Sequence, residues 1–457
     1  MILLGAPIGT EAFVAREVKK KVEKVREISD LLPQIEDPHT EFCLLRSCLS
    51  LPKLSFLTRA VDTSSHVNHL QDFDKVTKEG LTRILGAPVG GRTWQQAKLP
   101  VSMGGLGLRA AEDHAPVAHA ASVLSLQPLR QTMVGAQVHP PPGDADAEPL
   151  LDVPGADLSE GLLTALSRAQ GEQAVEEALV GLTQKQMAYR VDQHQKQLLI
   201  EDVGEDEVRE QARLASLSLP HAGDWLHTPP LTALGLHLRA AEFVPALKYR
   251  LGLPVFTSEG PCPACLRFSD ALGDHALCCG TGGERISRHN NLRDALFDTA
   301  VAAGLGPVKE GRFLLPGADR RPADVFLPNW AGGQDAVLDV TVVNPLQDAT
   351  VAGAATTAGH ALTFAYERKM AAAAEDCQQQ GIAFLPLAAE SLGGWHPTAE
   401  REVKKLAVAL ARNTGRSEGE AAAHLWGRLG VLLQRGNAAL LGNRVPAPPD
   451  AIIDGIV

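Results

Sequence analysis

The apolar residues of this chain recur with helical spacing through most of its first half. Stretch 13–28 has helical spacing, 44–61 is an apolar stretch broken by Pro52, and 110–124 is predicted as another helix. A further helical block runs from 159 to about 251. Alanine, glycine and leucine dominate the composition, whereas aromatic residues make up only 4% of the chain. The pattern therefore predicts a mainly α-helical N-terminal half whose helices pack through small side chains.

After Gly260 the pattern changes to short runs of β-branched residues set between helices. The predicted elements in chain order are a helix at 284–303, strands at 308–315, 324–327 and 336–343, a helix at about 356–380 and an apolar strand at 382–387. The run AVLDVTVV at 336–343 is typical of a central strand that is buried on both faces. This order predicts an α/β domain, after which the chain is helical again from Trp395 to a proline-rich tail.

These changes of pattern divide the chain into predicted regions. They are a helical region at 1–135, an acidic and proline-rich linker at 136–158, a helical linker domain at 159–255, a cysteine-rich segment at 256–283, an α/β domain at 284–392 and a helical C-terminal extension at 393–457. The linker contains the sequence HPPPGDADAEP, whose prolines and acids disfavour a packed core.

The composition favours a globular protein and argues against a disordered or strongly basic one. Hydrophobic residues make up 45% of the 457 residues, which is typical of a globular chain. The net charge of -11 argues against a protein that coats nucleic acid through overall basicity, although local basic patches can still bind phosphate. The first residues lack the basic segment of a signal peptide, and no apolar run is long enough to cross a membrane. We therefore expect a soluble chain, without a membrane partner, in a reducing compartment.

A candidate metal site lies in the cysteine-rich segment. Cys262 and Cys265 form a Cys-x-x-Cys pair, and His275 and Cys279 follow at a spacing that lets two short loops supply four ligands to one tetrahedral zinc. Cys278 is an alternative fourth ligand. Cys279 is favoured because the second pair of ligands in a zinc site is more commonly separated by three residues. The competing interpretation is a set of reduced, buried cysteines without a metal.

Two aspartates on neighbouring predicted strands form a second candidate site. Asp324 opens one strand and Asp339 interrupts the apolar run of the next, so a hairpin would place their carboxylates side by side. Close carboxylates repel each other unless a cation lies between them, and Mg²⁺ or Mn²⁺ held there can activate water for phosphodiester hydrolysis. Glu310 on the preceding strand is the candidate third acid. The competing interpretations are a salt bridge from Asp339, for example to Arg321, and a turn role for Asp324.

A catalytic lysine would complete this acidic site. Thr341 occupies the position two residues after the second acid, where a lysine is usual in nucleases of the PD-(D/E)xK type, and Lys369 on the following helix could reach in instead. The competing interpretation of Lys369 is a solvated helix lysine. Candidate DNA-facing groups, for which a solvated surface is the alternative, are Arg288, His289, Asn290 and Arg321.

The order of these motifs resembles a known family. The segments CPAC, GDHALCC, RHNNLRD, RPAD and LDVTVVNP are similar to the end of site-specific non-long-terminal-repeat retrotransposon proteins. In that family a CCHC zinc knuckle precedes a restriction-like endonuclease with a PD-(D/E)xK core. The segments LLGAPIG and WQQAKLPVSMGGLGLRAA look like the region just beyond the polymerase catalytic turn and the reverse transcriptase thumb.

The resemblance implies an endonuclease that nicks chromosomal DNA to prime reverse transcription in the nucleus. It implies a thumb-like helical region at 1–135, a zinc knuckle at 256–283 and a restriction-like endonuclease domain at 284–392. Structural Zn²⁺ would be held by Cys262, Cys265, His275 and Cys279, and catalytic Mg²⁺ or Mn²⁺ by Asp324 and Asp339. The implied partners are a DNA target and the element RNA.

Three features depart from the family pattern. An alanine separates proline from Asp324, the knuckle spacing differs slightly, and the chain contains no Tyr/Phe-x-Asp-Asp polymerase motif. We therefore expect no reverse transcriptase activity. The alternative functions are a non-catalytic, zinc-containing, nucleic-acid-binding or interaction remnant of a retroelement, and an unrelated helical scaffold with a structural zinc.

Overall fold

The computed structural model of the chain describes residues 1–63, 66–135, 183–311 and 323–446. The described part is mostly helical and contains small β-sheets. The predicted linker at 136–158, the first part of the next predicted region and Arg321 lie outside the described residues.

The elements of the described residues have the following bounds. The helices are α1 (Glu11–Ser29), α2 (Pro38–Leu44), α3 (Ser55–Ala60), α4 (Val67–Leu85), α5 (Gly91–Lys98), α6 (Ala111–Gly135), α7 (Gln184–Glu201), α8 (Val208–Leu217), α9 (Asp224–His227), α10 (Ala240–Arg250), α11 (Asp274–Cys278), α12 (Glu284–Ala302), α13 (Val351–Thr356), α14 (His360–Gln379), α15 (Pro397–Thr414) and α16 (Glu418–Gly442). The strands are β1 (Ile2–Leu3), β2 (Ala6–Pro7), β3 (Gly260–Pro261), β4 (Phe268–Ser269), β5 (Val308–Lys309), β6 (Val325–Ala331), β7 (Gln334–Val343) and β8 (Ala383–Glu390).

The chain forms two compact units. One consists of the described residues within 1–34, 44–83 and 107–199, and the other of the described residues within 35–43, 84–106 and 200–457. The predicted region 1–135 therefore contributes to both units. In the first unit, α1 buries a stripe of valines spaced three or four residues apart, which are Val14, Val18, Val22 and Val25.

The second unit is built around a four-stranded sheet in the order β5-β6-β7-β8. β6 is antiparallel to both of its neighbours, whereas β7 and β8 are parallel and are connected through α13 and α14. The prediction of a central strand at 336–343 is confirmed, because β7 pairs with a neighbour on each side. Its residues are buried from Ala336 to Thr341, as the run of β-branched side chains predicts.

Helices pack against this sheet through separate hydrophobic clusters. Val340 of β7 belongs to a cluster with Leu296 of α12, Leu406 of α15 and Leu429 of α16. Val337 belongs to a different cluster, which is formed with α14. The helices of the predicted extension at 393–457 that the structure describes therefore share a core with the sheet.

Local signals set the ends of the helices around the sheet. The helix predicted at about 356–380 begins at His360, because Gly359 adopts a left-handed conformation with φ of 80°. Gly415 ends α15 with φ of 69°, and Ser417 and Glu420 then form the capping box that starts α16. The strand predicted at 308–315 is described only as far as 311, and it pairs at Val308–Lys309.

Candidate metal centre and acidic site

Two thiols of the candidate metal centre lie on the short hairpin formed by β3 and β4. The amide of Cys262 donates to the carbonyl of Arg267 at 2.8 Å, and the amide of Leu266 donates to the carbonyl of Cys262 at 2.8 Å. Leu266 has a φ of 62°, so the chain turns tightly after Cys265. This turn lets both cysteines serve one metal ion from a single loop.

The other two donors come from α11 and the residue that follows it. The carboxylate of Asp270 caps α11 by accepting hydrogen bonds from the amides of Asp274, at 3.0 Å, and His275, at 2.9 Å. Gly273, which precedes the helix, has a φ of 89°, and a Cβ there would lie 2.6 Å from a leucine side chain of α16. This start of the helix places Nε2 of His275 3.3 Å from the sulfur of Cys265.

The four residues together form a group that could bind a metal ion such as zinc. The donor atoms of Cys262, Cys265, His275 and Cys279 all lie within 4.8 Å of one another. Three thiols and an imidazole are typical ligands of a tetrahedral structural zinc, so the donor chemistry fits that ion. A cavity of about 1000 Å³ is lined by three of the four residues and connects them with solvent. Elsewhere in the described ranges, no other group of three His, Cys, Asp or Glu donors is as close.

The structure distinguishes the two adjacent cysteines. Cys278 lies outside the group, and its sulfur accepts a hydrogen bond from Nδ2 of Asn344 at 3.3 Å. Burial raises the pKa of the Cys278 thiol to about 11, which disfavours the thiolate that a metal requires. Burial also acts to raise the pKa of Cys279, but hydrogen bonds, with that from Arg444 the largest, lower it to about 7. Cys279 is therefore the better fourth ligand.

Side chains of the surrounding core hold α11 in place. The Asp274 carboxylate accepts hydrogen bonds from Arg209 at 2.5 and 2.9 Å and from the Tyr249 hydroxyl at 3.1 Å. The same hydroxyl lies 3.2 Å from Oδ1 of Asn344, the residue directly after β7. Nδ2 of Asn344 also donates to the carbonyl of Asp274 at 3.4 Å. The candidate metal centre is therefore fixed to the end of the central strand.

Of the acidic residues predicted from the sequence, Asp339 lies within β7, whereas Glu310 directly follows β5 and Asp324 directly precedes β6. Val325 pairs with Leu338, so Asp324 and Asp339, the next positions of the antiparallel register, lie opposite each other. The amide of Asp324 donates to the carbonyl of Leu338 at 3.0 Å, and the amide of Glu310 donates to the carbonyl of Asp324 at 2.8 Å. The spacing in the sequence therefore brings Asp324, at the start of β6, beside Asp339 of β7.

A basic side chain contacts each of the two aspartates. Nζ of Lys369, from α14, lies 2.8 Å from Oδ2 of Asp339. Nε2 of His289, from α12, lies 2.9 Å from Oδ1 of Asp324. The other oxygen of Asp324 accepts a hydrogen bond from the amide of Val340 at 2.6 Å. Lys369 thus reaches into the acidic site from the following helix rather than extending into solvent.

Burial and neighbouring charges set the protonation of these groups. The Asp339 side chain is 10% exposed. Burial raises the pKa of its carboxyl, although Lys369 acts to lower it. The hydrogen bond to Asp324 raises the pKa of the His289 imidazole. In the absence of a bound cation, the charge of Asp339 is therefore incompletely compensated.

The remaining candidate residues have other environments. Glu310 accepts a hydrogen bond from Arg293, so the third acid has its own partner. Arg288 is 3% exposed and donates to an asparagine of α16 at 2.6 Å, so its guanidinium does not face solvent. Asn290 is half-buried. Arg321 lies outside the described residues.

Glu390, the last residue of β8, is a buried acid that the sequence analysis does not single out. Its side chain is fully buried, and neither oxygen has a hydrogen-bond partner of ordinary geometry among the described residues. Burial raises the pKa of Glu390 to about 7, although the nearby hydroxyl of Ser216 acts to lower it. Its position at the end of an apolar strand could have signalled this burial.

We expect Glu390→Gln to stabilise the protein above neutral pH. The folded-state pKa of about 7 exceeds the ordinary value of 4.5, so the carboxyl favours folding fully only below pH 4.5, and this contribution is lost as the pH rises through 7. The difference corresponds to about 3 kcal/mol. Thermal melts should show a higher Tm for Glu390→Gln at pH 8 and little change at pH 5. Glu375→Gln, at an exposed position of α14, is the control, and an equal change at both pH values would contradict the prediction.

Comparison with known proteins gave no relative from which to infer a function. No protein-family model matches the chain, and no curated protein matches it either. None of the helices in the described part of the chain is both long and apolar enough to cross a membrane.

Proposed function

We propose that this chain is a metal-dependent DNA endonuclease with a structural zinc, the nicking module of a site-specific non-long-terminal-repeat retrotransposon protein. The observation that carries the proposal is the position of Asp324, directly before β6, opposite Asp339 of β7, with Lys369 in contact with the second acid. Two acids on neighbouring strands with a lysine beside them resemble the catalytic set of the PD-(D/E)xK nucleases. No polymerase activity is part of this proposal.

The order of the elements supports a restriction-like core. α12 precedes three antiparallel strands, and α14 then leads to β8, which is parallel to β7. The usual lysine of the motif is replaced by Thr341 in the sequence. Lys369 of α14 places its ammonium group beside Asp339, so it can take the role of the missing lysine.

Asp324 and Asp339 would hold Mg²⁺ or Mn²⁺. Their carboxylates are the hard oxygen donors that these ions prefer. When bound, such an ion supplies an activated water and stabilises negative charge on the phosphate. The separate thiol-rich group would hold structural Zn²⁺, because soft sulfur donors suit zinc better than magnesium.

Lys369 and His289 have roles of their own in this proposal. The ammonium of Lys369, 2.8 Å from Asp339, can stabilise the charge that develops on the phosphodiester. His289 orients the Asp324 carboxylate through its Nε2. The low exposure of both acids, 13% for Asp324 and 10% for Asp339, strengthens these electrostatic interactions.

The second candidate is a non-catalytic, zinc-containing protein that binds nucleic acid. Two observations favour it. Asp324, Asp339 and Glu310 each have a basic partner. Among the described residues, no third His, Cys, Asp or Glu donor lies close enough to the two aspartates to form a cation site with them. The pairs Asp324–His289 and Asp339–Lys369 would then only stabilise the sheet. DNA and the element RNA are the proposed partners, and the nucleus the proposed compartment, for both candidates.

Nicking of supercoiled DNA separates the two candidates. We expect the purified chain to convert a supercoiled plasmid to the open circle with Mg²⁺ or Mn²⁺ and not with EDTA. Lys369→Ala should slow nicking by about a hundredfold or more, which is the usual loss when one preorganised group at a developing charge is removed. Lys404→Ala, at an exposed position of α15, is the matched control. Absence of nicking with either ion, in a folded and zinc-loaded preparation, would favour the second candidate.

A further inference from the structure

The buried arginine that follows α16 lies against the candidate metal centre. The Arg444 side chain is 1% exposed, and its Nη2 lies 2.7 Å from Oε2 of Glu284. The guanidinium also donates to the carbonyls of Leu440, at 3.2 Å, and Thr281. The two carbonyls belong to different parts of the chain, so Arg444 joins the end of α16 to the loop directly after Cys279.

Thr281 is two residues after Cys279, so the hydrogen bond that its carbonyl accepts places the positive charge of Arg444 at the loop that leads out of the candidate metal centre. The loop closes tightly around this contact. Gly282 has a φ of 90°, and a Cβ there would lie 3.0 Å from Nη2 of Arg444 and 2.5 Å from Oε2 of Glu284. Glycine is therefore required for the loop to approach the ion pair so closely.

A positive charge beside the thiolates would offset the net negative charge of the zinc-bound centre. Three thiolates and one neutral imidazole around a divalent ion leave an excess negative charge. Because two of the thiols, Cys262 and Cys279, are buried, water can compensate that charge only in part. The guanidinium of Arg444 is a permanent cation, and it binds the loop that directly follows Cys279.

We propose that Arg444 is an outer-sphere positioning residue of the metal centre, which holds the Cys279 thiolate toward the ion and offsets the excess charge. The proposal rests on zinc binding at Cys262, Cys265, His275 and Cys279. It is independent of the endonuclease activity. Outer-sphere groups that orient a metal ligand contribute about 10–100-fold to metal affinity in other proteins.

Zinc affinity, measured by competition with a chromophoric chelator, tests this role. We expect Arg444→Gln to weaken zinc binding by about 10–100-fold, and Arg444→Lys, which keeps the charge, to recover most of that loss. Arg435→Gln is the matched control. Arg435 is on α16 and also donates to backbone carbonyls, at 2.8 and 3.0 Å, but these belong to His237 and Gly235. Its replacement should leave the zinc affinity unchanged.

Two further measurements separate this role from simple tethering of the loop. If Arg444 acts only through its ion pair, Glu284→Gln should weaken zinc binding as much as Arg444→Gln. If Arg444 acts on the sulfur, Glu284→Gln should keep or increase the affinity, because the guanidinium is then fully available to Cys279. In the cobalt-substituted protein, loss of the positive charge should also shift the sulfur-to-metal charge-transfer band to lower energy.

Each outcome has one meaning. A parent protein that binds no zinc would overturn the metal centre itself. A parent that binds zinc, together with Arg444→Gln of unchanged affinity and cobalt spectrum, would overturn only the role of Arg444. If Arg444→Gln does not fold, Arg444→Lys and Glu284→Gln decide, and equal losses of affinity in both would overturn the proposal.

Discussion

Replacing Cys279 by serine should abolish stoichiometric zinc binding, whereas the same change at Cys278 should leave one zinc ion per chain. The two residues are adjacent in the sequence, so the comparison is closely matched. Only the sulfur of Cys279 lies within 4.8 Å of the donors of Cys262, Cys265 and His275. The sulfur of Cys278 is directed to Asn344 instead. Elemental analysis of the purified variants checks the prediction.

The loss of zinc should also lower the stability of the protein. Structural zinc contributes about 10–16 kcal/mol to zinc-finger peptides that are unfolded without it. Here Arg209, Tyr249 and Asn344 hold α11 as well, so we expect a fall in Tm rather than complete unfolding. Cys278→Ser should melt close to the parent in the presence of zinc. Equal zinc contents in the two variants would contradict the assignment of Cys279.

We expect Asp339→Asn to slow metal-dependent nicking by about a thousandfold. A bound metal contributes several kcal/mol to stabilisation of the transition state, and each 1.36 kcal/mol corresponds to a factor of ten in rate. Asparagine keeps the shape of the side chain but removes the negative charge that holds the ion. Initial nicking rates of the two proteins under saturating Mg²⁺ or Mn²⁺ provide the measurement. Asp335→Asn, on the same strand but at its partly exposed end, should retain the parent rate.

The same variant should be at least as stable as the parent in EDTA. Burial raises the pKa of Asp339 despite Lys369, so the charged carboxylate is unfavourable at neutral pH without a cation. Removing it does not leave a buried charge, because the Lys369 side chain is 31% exposed and can turn toward water. A fall of about 3–5 kcal/mol, as when a fully buried ion pair is broken, together with unchanged nicking, would assign Asp339 a purely structural role.

The candidate metal centre could be predicted from the sequence because its chemistry is local. Cys262, Cys265, His275 and Cys279 lie in one short segment, and the chain between them has few ways to place four donors. The position of β7 in the middle of the sheet was predictable for a similar reason. A run of β-branched residues without a polar face requires neighbours on both sides and helices above and below.

Partners that are distant in the sequence could not be predicted. The spacing of the aspartates fits a hairpin, but it offered Arg321 as a salt-bridge partner of Asp339 and left Lys369 either in the acidic site or in solvent. Arg444 follows a helix whose own pattern gives no sign of a metal ligand nearby. The position at which a helix packs on a sheet depends on many apolar contacts together. The spacing of hydrophobic residues along the sequence does not specify those contacts.

Through Asn344, the central strand connects the acidic site to the candidate metal centre. β7 contains Asp339 and ends just before Asn344, whose side chain contacts both α11 and Tyr249. Release of α11 would therefore also remove side-chain contacts that fix the end of β7. The two sites then belong to one cooperative unfolding unit rather than to separate modules. Segment 256–283, if moved into another chain, would therefore lack the contacts with Asn344 at the end of β7 that help to hold α11.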